Sequence, residues 1–306
     1  MVYLFLLLGF LFLVKGADYF VDGSSSIATS LKIPSLVIGL TIVAFGTSAP
    51  EAAVSVTASI QGQNEIALGN IIGSNIFNLL CVAGMVAFIK PLSVKKSILI
   101  KEFPFLVLSS ILLLVLSDDL IFQQTQNSIL STGDVLVFLM FFCIFMYYLL
   151  EVSPNSNNNY DTNIYKSTIP LSKSVVFSVV GILGIVIGGK LVVDCSSIIA
   201  LNFGVSEKII GITIVSIGTS LPEFVTSVVS ASKGESDIAL GNVIGSNIFN
   251  VLFILGISSV INPVSIDNNL FLDIFIMIIV TIITYIFSIR KKDINKFEGI
   301  ILIIAY

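Results

Sequence analysis

The chain has 306 residues, of which 56% are hydrophobic and only 11% are charged. Soluble domains carry about twice that share of charged residues, so the composition excludes a water-soluble globular protein and predicts a chain embedded in a lipid bilayer. The net charge is −4. The chain contains no histidine, so it has no imidazole for a catalytic triad or a zinc site. We therefore expect no enzyme.

Apolar segments long enough to cross a hydrocarbon core of about 30 Å recur along the whole chain. Such continuous runs predict helices, because a helix satisfies its own backbone hydrogen bonds in lipid. A tenth segment starts near Phe297 and stops at Tyr306, so we expect a truncated last helix. The nine complete segments run approximately over Val2 to Val21, Pro34 to Ile60, Ile66 to Ile89, Ile98 to Leu116, Leu130 to Leu150, Val175 to Val193, Ile209 to Ser232, Ile238 to Ile261 and Leu270 to Ile289.

Lysine and arginine residues between these segments predict their orientation. When successive loops alternate between two sides, most loop cations fall on one side, whereas Lys208 is the clear loop cation on the other. By the positive-inside rule the cation-rich side is cytoplasmic. We therefore expect a plasma (inner) membrane protein with its N-terminus outside and the connection after the fifth helix in the cytoplasm. The cations of the cytoplasmic side are Lys32, Lys95, Lys96, Lys166, Lys173, Lys233, Arg290, Lys291, Lys292 and Lys296.

The chain also repeats itself. Residues 16–91 align with residues 188–263 without a gap, and about 35 of the 76 aligned positions are identical. Each copy carries five helices, an odd number, so the second copy enters the membrane from the opposite side. We predict an all-α polytopic protein of ten transmembrane helices, built as two inverted five-helix repeats, which is a secondary-transporter architecture. The predicted domains are a first repeat at 1–152, a polar cytoplasmic linker at 153–170 and a second repeat at 171–306.

The repeat is densest in two motifs. The first motif is GTSAPE at 46–51 and GTSLPE at 218–223, and it lies in the middle of the second and seventh helices. Proline lacks an N–H group and clashes with the preceding turn, so both helices are expected to break there and release backbone carbonyls, which at membrane depth line a cavity or bind an ion. The carbonyls concerned are those near Ala44, Thr47, Ser216 and Thr219.

Glu51 and Glu223 are the only carboxylates predicted in the middle of apolar helices. An ionised group there costs at least about 2.5–3.5 kcal/mol without a partner, and no basic residue lies near either of them in the sequence. Each acid is therefore protonated or paired with a cation, and two facing acids would supply the charge of a divalent ion. Asp22 and Asp194 also repeat, but we place them at helix ends, where capping acids are common.

The second motif, IALGNIIGSNIFN at 66–78 and IALGNVIGSNIFN at 238–250, adds serine and asparagine side chains on the third and eighth helices. Such oxygens beside two carboxylates suit hard cations, since Ca²⁺ takes six to eight oxygen ligands. Close helix packing remains an alternative role for each small polar residue taken singly. These residues are Asn70, Ser74, Asn75, Asn78, Asn242, Ser246, Asn247 and Asn250.

With both motifs present twice, the sequence resembles the calcium/cation antiporter superfamily, and within it the prokaryotic type of the sodium/calcium exchanger family. The resemblance implies a secondary active transporter that exchanges Na⁺ for Ca²⁺ by alternating access at a midplane site, with helices one and six as a gating pair. It implies that Glu51 and Glu223 bind Ca²⁺ with the carbonyls of Thr47 and Thr219. For Na⁺ it implies the positions of Ala44, Ser48, Ser74, Asn78, Ser216, Ser220, Ser246 and Asn250.

Two other functions stay open at this point. A proton-coupled cation exchanger of the same fold is the nearest, because a buried glutamate carries a proton as readily as it shares a sodium ion. A passive cation channel is the second, although a channel does not require matched glutamates. We expect Ca²⁺, Na⁺ and the lipid bilayer as partners, no cofactor, no nucleic acid and a monomeric protein.

Overall fold

The computed structural model describes residues 1–94, 96–117, 128–155, 169–205, 216–266 and 268–306. Most of these residues are helical. We number the helices α1 Val2–Leu31, α2 Ser35–Thr47, α3 Ala49–Ile60, α4 Asn64–Phe77 continued by Asn78–Val82 and Ala83–Ile89, α5 Lys96–Ile100, α6 Glu102–Ser117, α7 Thr132–Asn155, α8 Leu171–Asn202, α9 Ser216–Thr219, α10 Leu221–Ser232, α11 Ser236–Phe249 continued by Asn250–Ile254 and Leu255–Ile261, α12 Asn268–Lys291 and α13 Lys296–Ala305. The strands are β1 Leu92–Ser93, β2 Ser128–Leu130, β3 Val264–Ile266 and β4 Asp293–Ile294.

Within those ranges, seven helices are long and apolar enough to cross a membrane, and α2 with α3 makes an eighth if the bent pair is one span. The first part of the predicted seventh helix, residues 209–215, lies outside the described residues, as do residues 156–168 of the predicted linker. The coarse prediction of a polytopic helical protein is therefore confirmed.

Two details differ from the sequence prediction. Helix α1 continues to Leu31 and α8 to Asn202, so Asp22 and Asp194 lie inside helices, and their placement at helix ends was wrong. Small residues follow both aspartates, and they let the two helices pack closely. This packing stabilises the additional helical turns. The strands were not predicted either. They form two short antiparallel pairs, β1 with β4 and β2 with β3.

The structure divides into two compact units, and each draws on both halves of the chain. The first unit comprises Met1–Pro50 and Leu149–Val243, and the second comprises Glu51–Tyr148 and Ile244–Tyr306.

The first unit depends on the close packing of α1 against α8. A Cβ atom added at Gly16 would lie 2.7 Å from the Ile185 backbone nitrogen and 2.8 Å from the Gly181 carbonyl oxygen. Gly188 meets the backbone of Leu13 as closely. Only glycine permits such an approach of two backbones, as in other membrane helix pairs.

The C-terminal end of α10 is tied to α1 by an ionic triad. The Lys233 ammonium lies 2.7 Å from a carboxylate oxygen of Asp18 and 2.7 Å from one of Asp22. Burial alone lowers the pKa of Lys233, but its hydrogen bonds to the two aspartates outweigh this and leave the pKa above its ordinary value. All three side chains are partly exposed, so each pair contributes at most about 1 kcal/mol.

In the second unit, α4 packs against α12 and α13, and α6 packs against α12. A Cβ atom at Gly84 would lie 2.8 Å from the Gly299 carbonyl oxygen, so α4 and α13 also meet through glycines. Near the start of α6, the buried Glu102 accepts a hydrogen bond from the Tyr148 hydroxyl.

Replacing Gly16 with alanine tests the α1–α8 contact. We expect Gly16→Ala to lower the thermal unfolding temperature of the detergent-solubilised protein, because overpacking against a fixed backbone costs about 1–3 kcal/mol. Gly69→Ala is the matched control, since no heavy atom of the described residues outside its own helical turn lies within 4 Å of the added Cβ. There alanine should be neutral or stabilising. Equal unfolding temperatures for the two variants would contradict the packing.

Candidate cation-binding site

Each of the two GTSxPE motifs breaks its helix at the serine. Ser48 has φ −79° and ψ 8°, and Ser220 has φ −89° and ψ 5°, which is outside the helical region. Helices α2 and α3 bend by 48° across Ser48. Pro50 and Pro222 then occupy the first turn of the following helix, where a missing N–H group costs nothing. The predicted breaks are confirmed.

The predicted release of the Ala44 carbonyl was wrong. Its oxygen accepts a hydrogen bond from the Ser48 N–H at 3.0 Å and another from the Thr47 hydroxyl at 3.3 Å. The physical reason is that Pro50 disturbs the carbonyl four residues before it, at Gly46, so the ladder at Ala44 is intact. In the second motif the Ser220 N–H donates to the Ile217 carbonyl at 3.1 Å instead.

Glu51 lies in the second unit within a group of polar side chains that we call the Glu51 cluster: Glu51, Ser55, Asn70 and Ser74. The Asn70 amide donates to the Ser55 hydroxyl at 3.0 Å and to the Glu51 backbone carbonyl at 3.4 Å. The Ser74 hydroxyl donates to the Glu51 carboxylate at 3.5 Å. Glu51 itself is fully buried.

Glu223 lies in the first unit within the Glu223 cluster: Glu223, Ser227, Asn242, Thr47 and Ser48. The Asn242 amide donates to the Ser227 hydroxyl at 2.9 Å and to the Glu223 backbone carbonyl at 3.4 Å. The Ser48 hydroxyl donates to the Glu223 carboxylate at 2.8 Å, and the Thr47 hydroxyl donates to the Asn242 amide oxygen at 3.0 Å. Glu223 is fully buried as well.

The two clusters have the same internal geometry at an offset of 172 residues. In both, the amide of one asparagine donates to the backbone carbonyl of the glutamate and to the hydroxyl of a serine one turn further along the helix. Sequence reasoning had not selected Ser55 and Ser227, although both are repeated, four residues after the glutamates. Their spacing was the available signal, because residues four apart share a helix face.

A second set of amides lies within the second unit where α4 and α11 turn irregular. Both helices change to a π-helical turn at equivalent asparagines, Asn78 and Asn250. The Asn250 amide donates to the Asn75 side-chain oxygen at 3.0 Å, and the Asn75 amide donates to the Asn247 carbonyl at 3.2 Å. π-Helical turns are frequent at functional sites.

Asn78 is the polar side chain whose burial most needs a ligand. It is fully buried, and neither atom of its amide has a hydrogen-bond partner among the residues that the structure describes. An unpaired buried amide costs about 1–3 kcal/mol. A cation held by the Asn78 oxygen would offset part of that cost.

The structure also describes most of the remaining residues that the sequence predicts as cation ligands. Ala44, Thr219, Ser220 and Ser246 are buried, and the side chain of Ser216 lies outside the described part of the chain. The structure joins Ser48 to Glu223 and Ser74 to Glu51.

Across the described ranges, no group of three or more histidine, cysteine, aspartate or glutamate side chains could hold a metal ion. The available donors are therefore single carboxylates with hydroxyl and amide oxygens, which suit hard cations.

Comparison with known proteins agrees with this chemistry. A family model described as "sodium/calcium exchanger protein" matches residues 1–151 and 173–306. The chain belongs to this family. It is 34% identical to the sodium/calcium exchanger MaX1 of Methanosarcina acetivorans, over 99% of this chain and 96% of that protein. It is 35% identical to the inner membrane protein YrbG of Escherichia coli, over 94% of this chain and 88% of that protein.

Solved structures of the sodium-calcium exchanger NCX_Mj match as well. One, soaked with Na⁺ and Ca²⁺, superimposes with a TM-score of 0.85 at 32% identity and covers 99% of this chain and 95% of that chain. The chain described here is therefore an integral membrane protein, and its family is one of membrane transporters rather than of enzymes.

Removing either central asparagine should destabilise the protein. Asn70→Ala removes the bonds to the Ser55 hydroxyl and the Glu51 carbonyl, and Asn242→Ala removes the bonds to the Ser227 hydroxyl and the Glu223 carbonyl and the bond from Thr47. At about 0.5–1.5 kcal/mol for each bond, we expect each variant to unfold at a lower temperature than wild type in ion-free detergent. Wild-type unfolding temperatures in both variants would contradict the bonding described here.

Proposed function

We propose that this protein is a secondary active transporter that exchanges Na⁺ for Ca²⁺ by alternating access. The observation that carries the proposal is a fully buried carboxylate in each repeat, Glu51 and Glu223, each of which accepts a hydrogen bond from a serine hydroxyl. Membership in the sodium/calcium exchanger family supports it. So do the names of relatives that are called sodium/calcium exchangers.

We propose that Glu51 and Glu223 bind Ca²⁺ together with the carbonyls of Thr47 and Thr219, and that both carboxylates also serve Na⁺. Na⁺ and Ca²⁺ would compete for overlapping oxygens, so that exchange follows from mutually exclusive occupancy. The serine hydroxyls described above orient the carboxylates, and the asparagine amides hold the backbone of the same glutamates, which supports a role for both glutamates in cation binding. The proposed Na⁺ positions are Ala44, Ser48, Ser74, Asn78, Ser216, Ser220, Ser246 and Asn250.

The finer architecture belongs to the same proposal. Ten transmembrane helices would form two inverted repeats, with the N-terminus outside, the linker cytoplasmic and the protein in the plasma (inner) membrane as a monomer. Helices α1 and α8 would move as the gating pair. Their close contact through glycines supports this role, because two helices packed this closely move as one body.

The decisive experiment is Ca²⁺ uptake by proteoliposomes loaded with Na⁺, compared with proteoliposomes loaded with K⁺ or given only a pH gradient. We expect uptake that requires internal Na⁺ and is lost in Glu51→Gln and in Glu223→Gln, because glutamine removes the charge that binds the cation.

Glu102→Gln is the matched control. Glu102 is a glutamate 2% exposed in a membrane-spanning helix outside both motifs, and glutamine keeps an oxygen for the Tyr148 hydroxyl. We expect this variant to transport normally. Uptake driven by the pH gradient alone would make the protein a proton-coupled exchanger, and dissipation of a Ca²⁺ gradient without a counter-ion would make it a channel. Na⁺-driven uptake that survives in Glu51→Gln would refute the proposed site.

Charge counting predicts a voltage dependence. One Ca²⁺ neutralises two ionised glutamates, whereas three Na⁺ would leave one positive charge in excess. If three Na⁺ leave for each Ca²⁺ that enters, one positive charge leaves the vesicle, and an inside-positive potential set with K⁺ and valinomycin should speed uptake. Uptake that ignores the imposed potential would exclude a three-to-one exchange.

A further inference from the structure

Helix α10 carries a buried polar face that extends beyond the repeated motif. The side chains of Glu223, Thr226, Ser227 and Ser230 lie on one face of this helix, since residues three, four and seven apart are neighbours on a helix surface. All four are fully buried. Because an α-helix rises 1.5 Å per residue, the face extends about 10 Å from Glu223 towards the C-terminal end of α10.

The opposite face of α10 is apolar and already has a packing partner. Leu221, Val225 and Val229 pack against a core cluster of the first unit, most of whose residues come from α1 and α8. The hydroxyls of Thr226 and Ser230 therefore point away from the α1–α8 core, on the side of the helix that also carries the glutamate.

Two of these hydroxyls lack the usual partner of a buried helical hydroxyl. Thr281, Thr284 and Ser288 of α12 each donate to the carbonyl four residues earlier, at 2.7–2.9 Å, which is the common arrangement. On α10 itself, Ser232 donates to the Val228 carbonyl at 2.8 Å. In the described part of the chain, Thr226 and Ser230 find neither such a carbonyl nor any other partner.

The internal repeat shows that these hydroxyls are not part of the shared motif. The equivalent residues of the first repeat are Val54 and Ala58, whereas the serine between them, Ser55, is kept as Ser227. A fold that needed only to pack this helix could have used valine and alanine at 226 and 230 as well. The extra hydroxyls belong to the second repeat alone.

The polar face ends beside charged groups that reach solvent. Lys233 follows Ser230 by three residues and binds Asp18 and Asp22, whose side chains are 39% and 48% exposed. The face thus leads from a buried carboxylate to a partly exposed ionic cluster within the same unit.

We propose that Thr226, Ser227 and Ser230 form a polar track that coordinates the transported cation in transit between Glu223 and the C-terminal end of α10. Hydroxyl oxygens are ligands for hard cations, and they can replace part of the ion's hydration shell. A buried hydroxyl without a partner carries a desolvation cost, which a passing cation would partly offset. The proposal rests on the proposed function only in taking Na⁺ or Ca²⁺ as the transported species.

The test separates passage from binding. The double variant Thr226→Val, Ser230→Ala removes both unpartnered hydroxyls and keeps the shape of the threonine. We expect the initial rate of Na⁺-driven Ca²⁺ uptake to fall about tenfold, because the two lost transition-state contacts together are worth about that factor. Equilibrium ⁴⁵Ca²⁺ binding to the purified protein should stay within about twofold of wild type, because the ligands at Glu223 remain.

Two controls keep the result interpretable. Ser232→Ala removes a hydroxyl of the same helix that already has a carbonyl partner, and its rate should match wild type. Thr226→Ser keeps the hydroxyl and should retain most of the rate. A slow Thr226→Ser would mean that packing, not the hydroxyl, matters, and would overturn the track. So would a double variant that transports at the wild-type rate, or one that loses binding and rate together.

The experiments give a different result if the proposed Na⁺ coupling is wrong than if the polar track is wrong. If wild-type protein takes up Ca²⁺ only on a pH gradient, Na⁺ coupling is wrong, and the same variants are assayed with that gradient and the same expected tenfold fall. The track itself is refuted only where wild type transports a cation and the double variant transports it equally well.

Discussion

The burial of two carboxylates in a largely apolar membrane protein is the constraint on which the rest of this structure depends. Glu51 and Glu223 are fully buried, and a buried ionised group is costly unless hydrogen bonds and a counter-cation offset its desolvation. Each glutamate has a serine hydroxyl on its carboxylate and an asparagine amide on its backbone carbonyl. Four polar residues of the two motifs, Ser48, Asn70, Ser74 and Asn242, meet this requirement directly.

The irregular backbone follows from the same requirement. Helices break at Ser48 and Ser220, and π-helical turns begin at Asn78 and Asn250. Such departures from the regular hydrogen-bond ladder are tolerated in a membrane only where other polar groups lie close by. A further π-helical turn lies within α2 at Gly39–Val43, whereas α1 and α8 meet through glycines.

The two repeats share some polar residues and differ in others, and both the shared and the differing residues bear on function. The Glu51 and Glu223 clusters share an asparagine and a serine in the same arrangement, which duplication of one sequence explains. The hydroxyls of Thr226 and Ser230 and the triad at Lys233 have no counterpart among the aligned residues Val54, Ala58 and Gln61. If the two copies are inverted as proposed, they face different sides of the membrane, and differences between them are then expected wherever the two sides require different chemistry.

Much of this protein was determined by the sequence alone, because hydropathy and periodicity are local properties. The spans, the repeat at 172 residues, the breaks near Pro50 and Pro222 and the choice of Glu51 and Glu223 all follow from short stretches read in order. Which hydroxyl meets which carboxylate was decided only by the tertiary structure, since Ser48 and Glu223 are 175 residues apart. The same holds for Asp22, whose helix continues because it packs on α8, and for the Ala44 carbonyl, whose partner depends on where the chain bends. Contacts between distant residues are set by packing, which no local pattern records.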